Sequence, residues 1–193
     1  MTRHRSPRVL AVAAATALLA PPLLNAQASP SHHVAVPPAA ARPEDVATVD
    51  GIVRAYYDVI TGPAGQPRQW SRDRSLYIPD LRFVATGVAK NQPYARVMDH
   101  QAFVDATDSE FVHEGFYERE IHRVTRAYGN ITQVWSTYEE RRTYEERRAP
   151  GGPVQGRGIN ALQLFWDGKR WWVASAIWFE EDPAHPIPQE FLP

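Results

Sequence analysis

Apolar residues recur at helical spacing in the first part of the chain. Between the acidic start Pro43-Glu44-Asp45 and the stop signal Gly62-Pro63, valine, tyrosine and isoleucine side chains lie three or four positions apart, which predicts a first helix. A second, shorter helix is predicted to begin near Pro67 and to carry Trp70 inward. Asp99 is a suitable N-cap for a third helix that extends to about residue 107.

After the third helix, the pattern changes to long segments typical of β-strands. They span residues 116–128, 131–144, 158–167 and 170–181, and a shorter strand is predicted earlier, at 81–85. The turns Gly129-Asn130 and Asp167-Gly168-Lys169 indicate hairpins. Because the helices come first and the long strands follow, the sequence predicts an α+β fold with three N-terminal helices packed on a curved antiparallel sheet.

Aromatic side chains are concentrated in the predicted sheet, which contains five of the six tryptophans. This is more aromatic bulk than one flat sheet face needs. A concave sheet enclosing a cavity would use it, and so would a thick ordinary core, so the sequence leaves both open. Trp70, Trp172 and Trp178 are candidate walls of a ligand pocket.

The first 28 residues have the pattern of a secretion signal. A basic start is followed by an apolar, alanine-rich stretch and by the small-residue cleavage site Ala26-Gln27-Ala28. The apolar stretch has only about 12 residues before Pro21, short of the roughly 20 that a membrane span needs. We therefore expect a secreted or periplasmic protein, with a Pro/Ala-rich tether at 29–43 and a single domain at 44–193.

The composition excludes several function classes. The 193 residues include no cysteine, which excludes disulfides, cysteine-based metal sites and cysteine nucleophiles. The chain has 21 basic and 22 acidic residues, and removal of the leader leaves 18 basic residues against the same 22. This acidic balance argues against nucleic acid as a partner. No segment after the leader is apolar enough to predict a membrane contact.

Glycine-rich nucleotide loops, phosphate loops and the Gly-x-Ser-x-Gly elbow are missing from the sequence. His122 is the only histidine after the leader with a carboxylate at strand spacing. Since that gives two ligands at most, we expect no structural metal and no cofactor.

One predicted strand carries candidate chemistry. Glu118, Glu120 and His122 alternate with period two, which would place them on one face. A carboxylate beside an imidazole can act as an acid/base pair. The same pattern also fits a long edge strand whose charges form salt bridges, and both interpretations stay open.

Two further polar residues are candidate ligand contacts. Asn160 shares a face with Leu162 and Leu164, so its amide either orients a ligand or ties a neighbouring strand. Tyr56 and Tyr57 are adjacent on the first helix, and a phenol that faces the core can donate a hydrogen bond into a pocket.

A short repeat follows these residues. Tyr138-Glu139-Glu140-Arg141-Arg142 recurs six residues later as Tyr144-Glu145-Glu146-Arg147-Arg148. Because the period is even, both copies present the same faces on a strand. We interpret the repeat as a solvated hairpin tip or as a recognition surface at an oligomer edge.

The order of elements and several local motifs resemble the nuclear-transport-factor-2-like superfamily, most closely its SnoaL-like secreted bacterial members. The motifs are Glu118-Arg119-Glu120-Ile121, Gly129-Asn130-Ile131, Arg157-Gly158-Ile159-Asn160, Trp171-Trp172 and Pro186-Ile187-Pro188. The resemblance implies a cone-shaped fold, with three helices against a strongly curved sheet and a pocket between them. Members of the family include isomerases, dehydratases, cyclases and hydrolases as well as proteins that bind ligands or partners.

Three hypotheses follow. The first is an exported domain of this type that binds a small hydrophobic molecule in an aromatic-lined pocket formed with Asn160, and that lacks a catalytic set. The second is a cofactor-independent lyase or isomerase, with His122 as acid or base, Glu120 orienting it and Tyr57 polarising an oxygen. The third is a homodimeric interaction module that uses the outer sheet face, where Trp135 is expected.

Overall fold

The computed structural model describes residues 32–141 and 154–193, which form an α+β domain. The predicted leader and the second copy of the charged repeat lie outside these residues. The helices are α1 (Pro43–Val46), α2 (Val49–Asp58), α3 (Trp70–Arg74) and α4 (His100–Glu114), and a short 3₁₀ helix spans Gln189–Phe191. The strands are β1 (Tyr77–Ala89), β2 (Gln92–Met98), β3 (Tyr117–Tyr128), β4 (Ile131–Arg141), β5 (Gly156–Trp166) and β6 (Trp171–Glu180).

The six strands form one sheet in the order β2-β1-β6-β5-β4-β3. The predicted α+β class is confirmed, and the four long strands follow their predicted segments closely. The sheet is mixed rather than purely antiparallel, because β1 runs parallel to β6. Parallel neighbours need a long crossover connection, and the whole chain between β1 and β6 supplies it. The third predicted helix, α4, follows the early strand as expected, and it also follows β2, which was not predicted.

The predicted first helix is divided in two. Thr48 takes an extended backbone conformation, and its hydroxyl accepts a hydrogen bond from the Gly51 amide. A threonine in this role is an N-cap, so it begins α2 as a separate helix. The two helices approach closely at Gly51, where a Cβ would lie 2.5 Å from the carbonyl oxygen of Glu44.

The β1–β2 hairpin extends well beyond the predicted strand. Lys90 and Asn91, both with positive φ, form its tight turn. All residues of β2 except Met98 are exposed, so this edge strand lacks the alternation of apolar and polar residues that marks a half-buried strand. For this reason the sequence did not indicate it.

The helices cover one face of the sheet, which we call the inner face. The side chains between the two layers include Ile52, Val53, Phe83, Leu162 and Leu164, all fully or almost fully buried. Within the described residues, no helix is long and apolar enough to cross a membrane.

The described part of the predicted tether is extended and lies along α4. His32 contacts Asp108, His33 contacts Asp105, and the amide of Val34 donates to Asp105. Val34 also packs against the core. This segment therefore contributes to the packing of the domain, through side-chain contacts that a composition rich in proline and alanine does not indicate.

Candidate functional site

A bulge in β3 decides which side chains face the helices. Glu120 lies opposite Tyr138, but His122 lies opposite Thr137, so one extra residue is inserted between them. Directly opposed residues of an antiparallel pair point to the same side. Since Tyr138 and Thr137 are consecutive, Glu120 points to the inner face and His122 to the outer face.

The expected shared face of Glu120 and His122 is thus not present, because a bulge reverses the alternation of a strand. After the bulge, Arg123 returns to the inner face, opposite Ser136. His122 instead lies beside Thr137, whose hydroxyl donates to the carbonyl oxygen of Phe191 in the C-terminal segment.

Between the helices and the inner face lies a cavity of about 370 Å³, which we call the inner cavity. About half of its lining side chains are aromatic, and most of the others are polar or charged side chains from α4 and from β3 to β6. Among the polar ones, Glu118 and Asn160 are buried. The aromatic lining residues are Tyr56, Phe103, Phe111, Phe116, Tyr138 and Trp178. The polar and charged lining residues are Thr107, Glu110, Glu118, Glu140, Asn160 and Glu180.

Asn160 is the centre of the buried polar group. Its side-chain NH₂ donates to Glu118 Oε1 at 3.0 Å and to the Tyr57 hydroxyl at 3.2 Å. Its Oδ1 accepts from the Tyr56 hydroxyl at 3.4 Å. Asn160 therefore ties α2 to β3. It also lines the inner cavity, and its role as a ligand contact stays a prediction.

Tyr57 and Glu120 are brought together through a serine. The Tyr57 hydroxyl lies 2.7 Å from Ser136 Oγ, and Ser136 donates to Glu120 Oε1 at 2.6 Å. Glu120 also accepts two hydrogen bonds from Arg123, at 2.7 and 2.5 Å. Two of the three predicted catalytic residues are thus linked, and the third, His122, is not.

Glu118 is the most perturbed acid of this group, although it was not among the predicted site residues. Burial is the main cause that raises its pKa, to about 8. The hydrogen bond from Asn160 lowers the pKa, and the charge of Glu140 raises it. Glu140 lies directly opposite Glu118 in the β3–β4 ladder. Glu118 is therefore largely protonated at neutral pH and holds a proton at the cavity wall. Its place in the period-two pattern was visible in the sequence, but its burial was not.

The predicted tryptophan walls divide into two groups. Trp178 lines the inner cavity and packs edge-to-face on Phe103. Trp70 is buried against Phe111 and donates to Asp108, and Trp172 lies on the β5–β6 hairpin under the guanidinium of Arg170. Neither Trp70 nor Trp172 lines the inner cavity. Among residues 32–141 and 154–193, no group of three or more histidine, aspartate or glutamate side chains is arranged to hold a metal ion.

No protein-family model and no curated protein matches the chain. Among solved structures, it is similar to an NTF-2-like protein of unknown function from Silicibacter pomeroyi DSS-3, at 13% identity over 70% of this chain and 94% of that chain, with a TM-score of 0.43. It is also similar to a protein described as the beta subunit of an aromatic-ring-hydroxylating dioxygenase from Novosphingobium aromaticivorans DSM 12444, at 11% identity over 72% and 92% of the two chains, with a TM-score of 0.47.

A further similar structure is an NTF2-like protein of unknown function from Shewanella baltica OS155, at 8% identity over 67% of this chain and 85% of that chain, with a TM-score of 0.39. At such low identity, likeness bears on fold and not on activity. Two of these structures are described as NTF-2-like or NTF2-like, the superfamily that the sequence resembles.

Proposed function

We propose that the protein is an exported domain that binds a small, partly apolar molecule in the inner cavity. The observation that carries this proposal is the combination of aromatic walls with a buried polar group in one concave site. Its volume of about 370 Å³ lies within the usual range of small-molecule pockets, roughly 300–1,000 Å³. The leader pattern of residues 1–28, which lie outside the described residues, supports export to the periplasm or the medium.

A bulky side chain at Thr107 is expected to abolish ligand binding. Thr107 lines the inner cavity from α4, so Thr107→Phe fills space that a ligand would occupy. A panel of small aromatic carbonyl and phenolic compounds is screened by ligand-observed NMR against the chain without its leader. Ser109→Phe is the matched control, because Ser109 is exposed on the same helix and does not line the cavity.

The proposal fails if no compound binds, or if binding survives Thr107→Phe as well as it survives Ser109→Phe.

Compounds that bind are then incubated with the protein, and their chemical conversion to a product is measured. Conversion that Glu118→Gln abolishes would favour the second candidate function, a cofactor-independent lyase or isomerase. The observation that favours it is the buried carboxyl of Glu118 at the cavity wall, where burial raises its pKa. It would take the role expected of His122, with Tyr57 and Glu120 behind it.

A homodimer through the outer sheet face is a separate prediction. An apolar groove of about 310 Å³ lies on this face, lined by Trp135, Ile159, Ile177 and Ile187 among others. Ile177 is 43% exposed, whereas the ring of Trp135 packs against Phe191 of the C-terminal segment. The free part of the groove is therefore centred on Ile177.

If this face forms a dimer, Ile177→Asp is expected to give a monomer. Sedimentation of the chain without its leader at about 50 μM is a suitable test, because the dissociation constant of a stable dimer lies well below that concentration. Ile131→Asp is the control, because Ile131 is exposed at the β3–β4 turn and away from the groove. A monomeric unsubstituted protein would contradict the prediction.

A further inference from the structure

The lining of the inner cavity is one-sided in charge. Glu110, Glu118, Glu140 and Glu180 line it, and no lysine, arginine or histidine is among the lining residues that the structure describes. The four glutamates come from α4, β3, β4 and β6. Carboxylates therefore approach the cavity from several elements, and an anion inside it would meet repulsion from each of them.

The Tyr138 hydroxyl is a second, independent sign of a ligand. Tyr138 is only 6% exposed, and its side chain lines the cavity. In the described part of the chain, no residue forms a hydrogen bond with this hydroxyl. The hydroxyl oxygen is not among the fully buried polar atoms without a partner, so it is open to the space of the cavity. A polar group of a bound molecule would supply the partner.

The charges around Tyr138 indicate the sign of that polar group. Burial raises the pKa of Tyr138 most, and the charges of Glu118, Glu180 and Glu140 raise it further. Each of these carboxylates creates a negative potential at the hydroxyl when it is ionised, and Glu118, with a pKa of about 8, does so only as the pH approaches 8. The same potential attracts a cation and disfavours an anion or a developing oxyanion. The faces of Trp178 and Phe103 add to this preference, because aromatic faces attract cations.

We propose that the inner cavity binds a protonated amine carried on an aromatic or other apolar group. The inference rests on the proposed function, which places a small molecule in the same cavity. The ammonium N–H groups donate to the Tyr138 oxygen and to the carboxylates of Glu118 and Glu180. The apolar part of the ligand packs against Phe103 and Trp178.

Binding of such a ligand is coupled to the proton on Glu118. With a pKa of about 8, this carboxyl is mostly neutral at pH 7, and an ammonium beside it favours the ionised form. Glu140 on β4, Glu180 on β6 and Glu110 on α4 face the same space and oppose that ionisation, while the neighbouring side chains Asn160 and Tyr57 are neutral. Affinity for the amine is therefore expected to rise as the pH increases from about 6 to 8.

The test compares three probes of similar size: 2-phenylethylammonium, the neutral 2-phenylethanol and the anion phenylacetate. Dissociation constants are measured by NMR titration with the chain without its leader, at pH 6.5, 7.5 and 8.5. We expect the amine to bind at least about tenfold more tightly than the alcohol, a difference of about 1.4 kcal/mol. We expect phenylacetate to bind more weakly than either of them, and all binding to be lost in Thr107→Phe.

Three variants assign the effect to the carboxylates. Glu118→Gln is expected to remove the rise of amine affinity with pH, because glutamine keeps the shape of the side chain but cannot ionise. Glu180→Gln, at an exposed position, is expected to weaken amine binding several-fold. Glu44→Gln, on α1 and outside the cavity, is the control and is expected to change nothing.

The outcomes separate this inference from the proposed function. If the alcohol or phenylacetate binds in the cavity as tightly as the amine, the preference for a cation is wrong and the binding function stands. If none of the three probes binds at up to about 10 mM while neutral compounds of the screen do bind, the inference again fails alone. If no compound of either set binds, both proposals fail.

Discussion

Replacement of Glu118 by glutamine is expected to flatten the dependence of stability on pH and to make the domain more stable at pH 8 and above. In the folded protein, burial raises the pKa of Glu118 from 4.5 to about 8. The folded state thus keeps a proton that the unfolded chain releases above about pH 4.5. This contribution to stability is fully present below pH 4.5, falls as the pH rises towards 8, and changes little above that.

The size of the effect follows from the shift of the pKa. Each unit corresponds to about 1.4 kcal/mol, so the free energy of unfolding of the unsubstituted protein loses on the order of 5 kcal/mol between about pH 4.5 and 8. Such a loss is a large part of the 5–15 kcal/mol that typically stabilises a domain. Glutamine cannot ionise, and its Oε1 can accept the same hydrogen bond from Asn160, so the variant is expected to keep its stability across this range.

Urea unfolding at pH 5, 7 and 8.5 gives the free energy of unfolding of the unsubstituted protein and of Glu118→Gln. The difference between the two cancels the contributions of groups that titrate in both proteins. Glu114→Gln is a suitable control, because Glu114 is exposed at the end of α4 and outside the inner cavity. Its stability is expected to follow that of the unsubstituted protein at each pH. Parallel curves for the unsubstituted protein and Glu118→Gln would contradict the prediction, as would a carboxyl titration of Glu118 by ¹³C NMR with a midpoint near 4.5.

Most of the fold could be predicted because its signals are local. The turn Gly129-Asn130 joins two strands whose apolar positions alternate, and its glycine has a positive φ of 57°. The N-cap Asp99 accepts a hydrogen bond from the Ala102 amide, where the third helix was expected to begin. Gly115, also with positive φ, ends this helix later than expected, since the intervening residues give only a weak helical pattern. The parallel pairing of β1 with β6 is non-local and leaves no comparable pattern.

The candidate site could be predicted only in part, because it depends on one inserted residue and on burial. Tyr57 and Asn160 were expected to face a pocket, and they meet in one hydrogen-bonded group. The bulge that turns His122 away from Glu120 has no signature in the sequence around Ile121. The perturbation of Glu118 arises from helices packed over the inner face, which the spacing of charges along β3 cannot reveal.

A second buried carboxylate, Asp73, is expected to be among the most sensitive positions for stability. Asp73 lies in α3 and is fully buried. It accepts a hydrogen bond from the Tyr77 hydroxyl at 2.5 Å and contacts His100 Nε2 at 2.9 Å. These partners begin β1 and α4, so one side chain connects three elements. The other ring nitrogen of His100 is buried without a hydrogen-bond partner in the described part of the chain.

Asp73→Ala is expected to lower the free energy of unfolding by about 3–5 kcal/mol, the usual cost of removing one member of a buried polar pair. The loss is large because both the Tyr77 hydroxyl and His100 would stay buried without a partner. Asp73→Asn keeps the shape and one acceptor oxygen, so it should cost less. Urea unfolding at pH 7 measures both variants. Asp80→Ala, at an exposed position on β1, is the control and should change stability by less than about 0.5 kcal/mol.

A double-mutant cycle distinguishes the lost hydrogen bonds from a general disturbance of packing. Tyr77→Phe removes the hydroxyl that depends on Asp73 and nothing else of the ring. Since the second change then removes the group that the first leaves unsatisfied, the double variant is expected to lose less stability than the sum of the single losses. Additive losses, or a cost of Asp73→Ala below about 1 kcal/mol, would show that Asp73 does not hold α3, β1 and α4 together through these contacts.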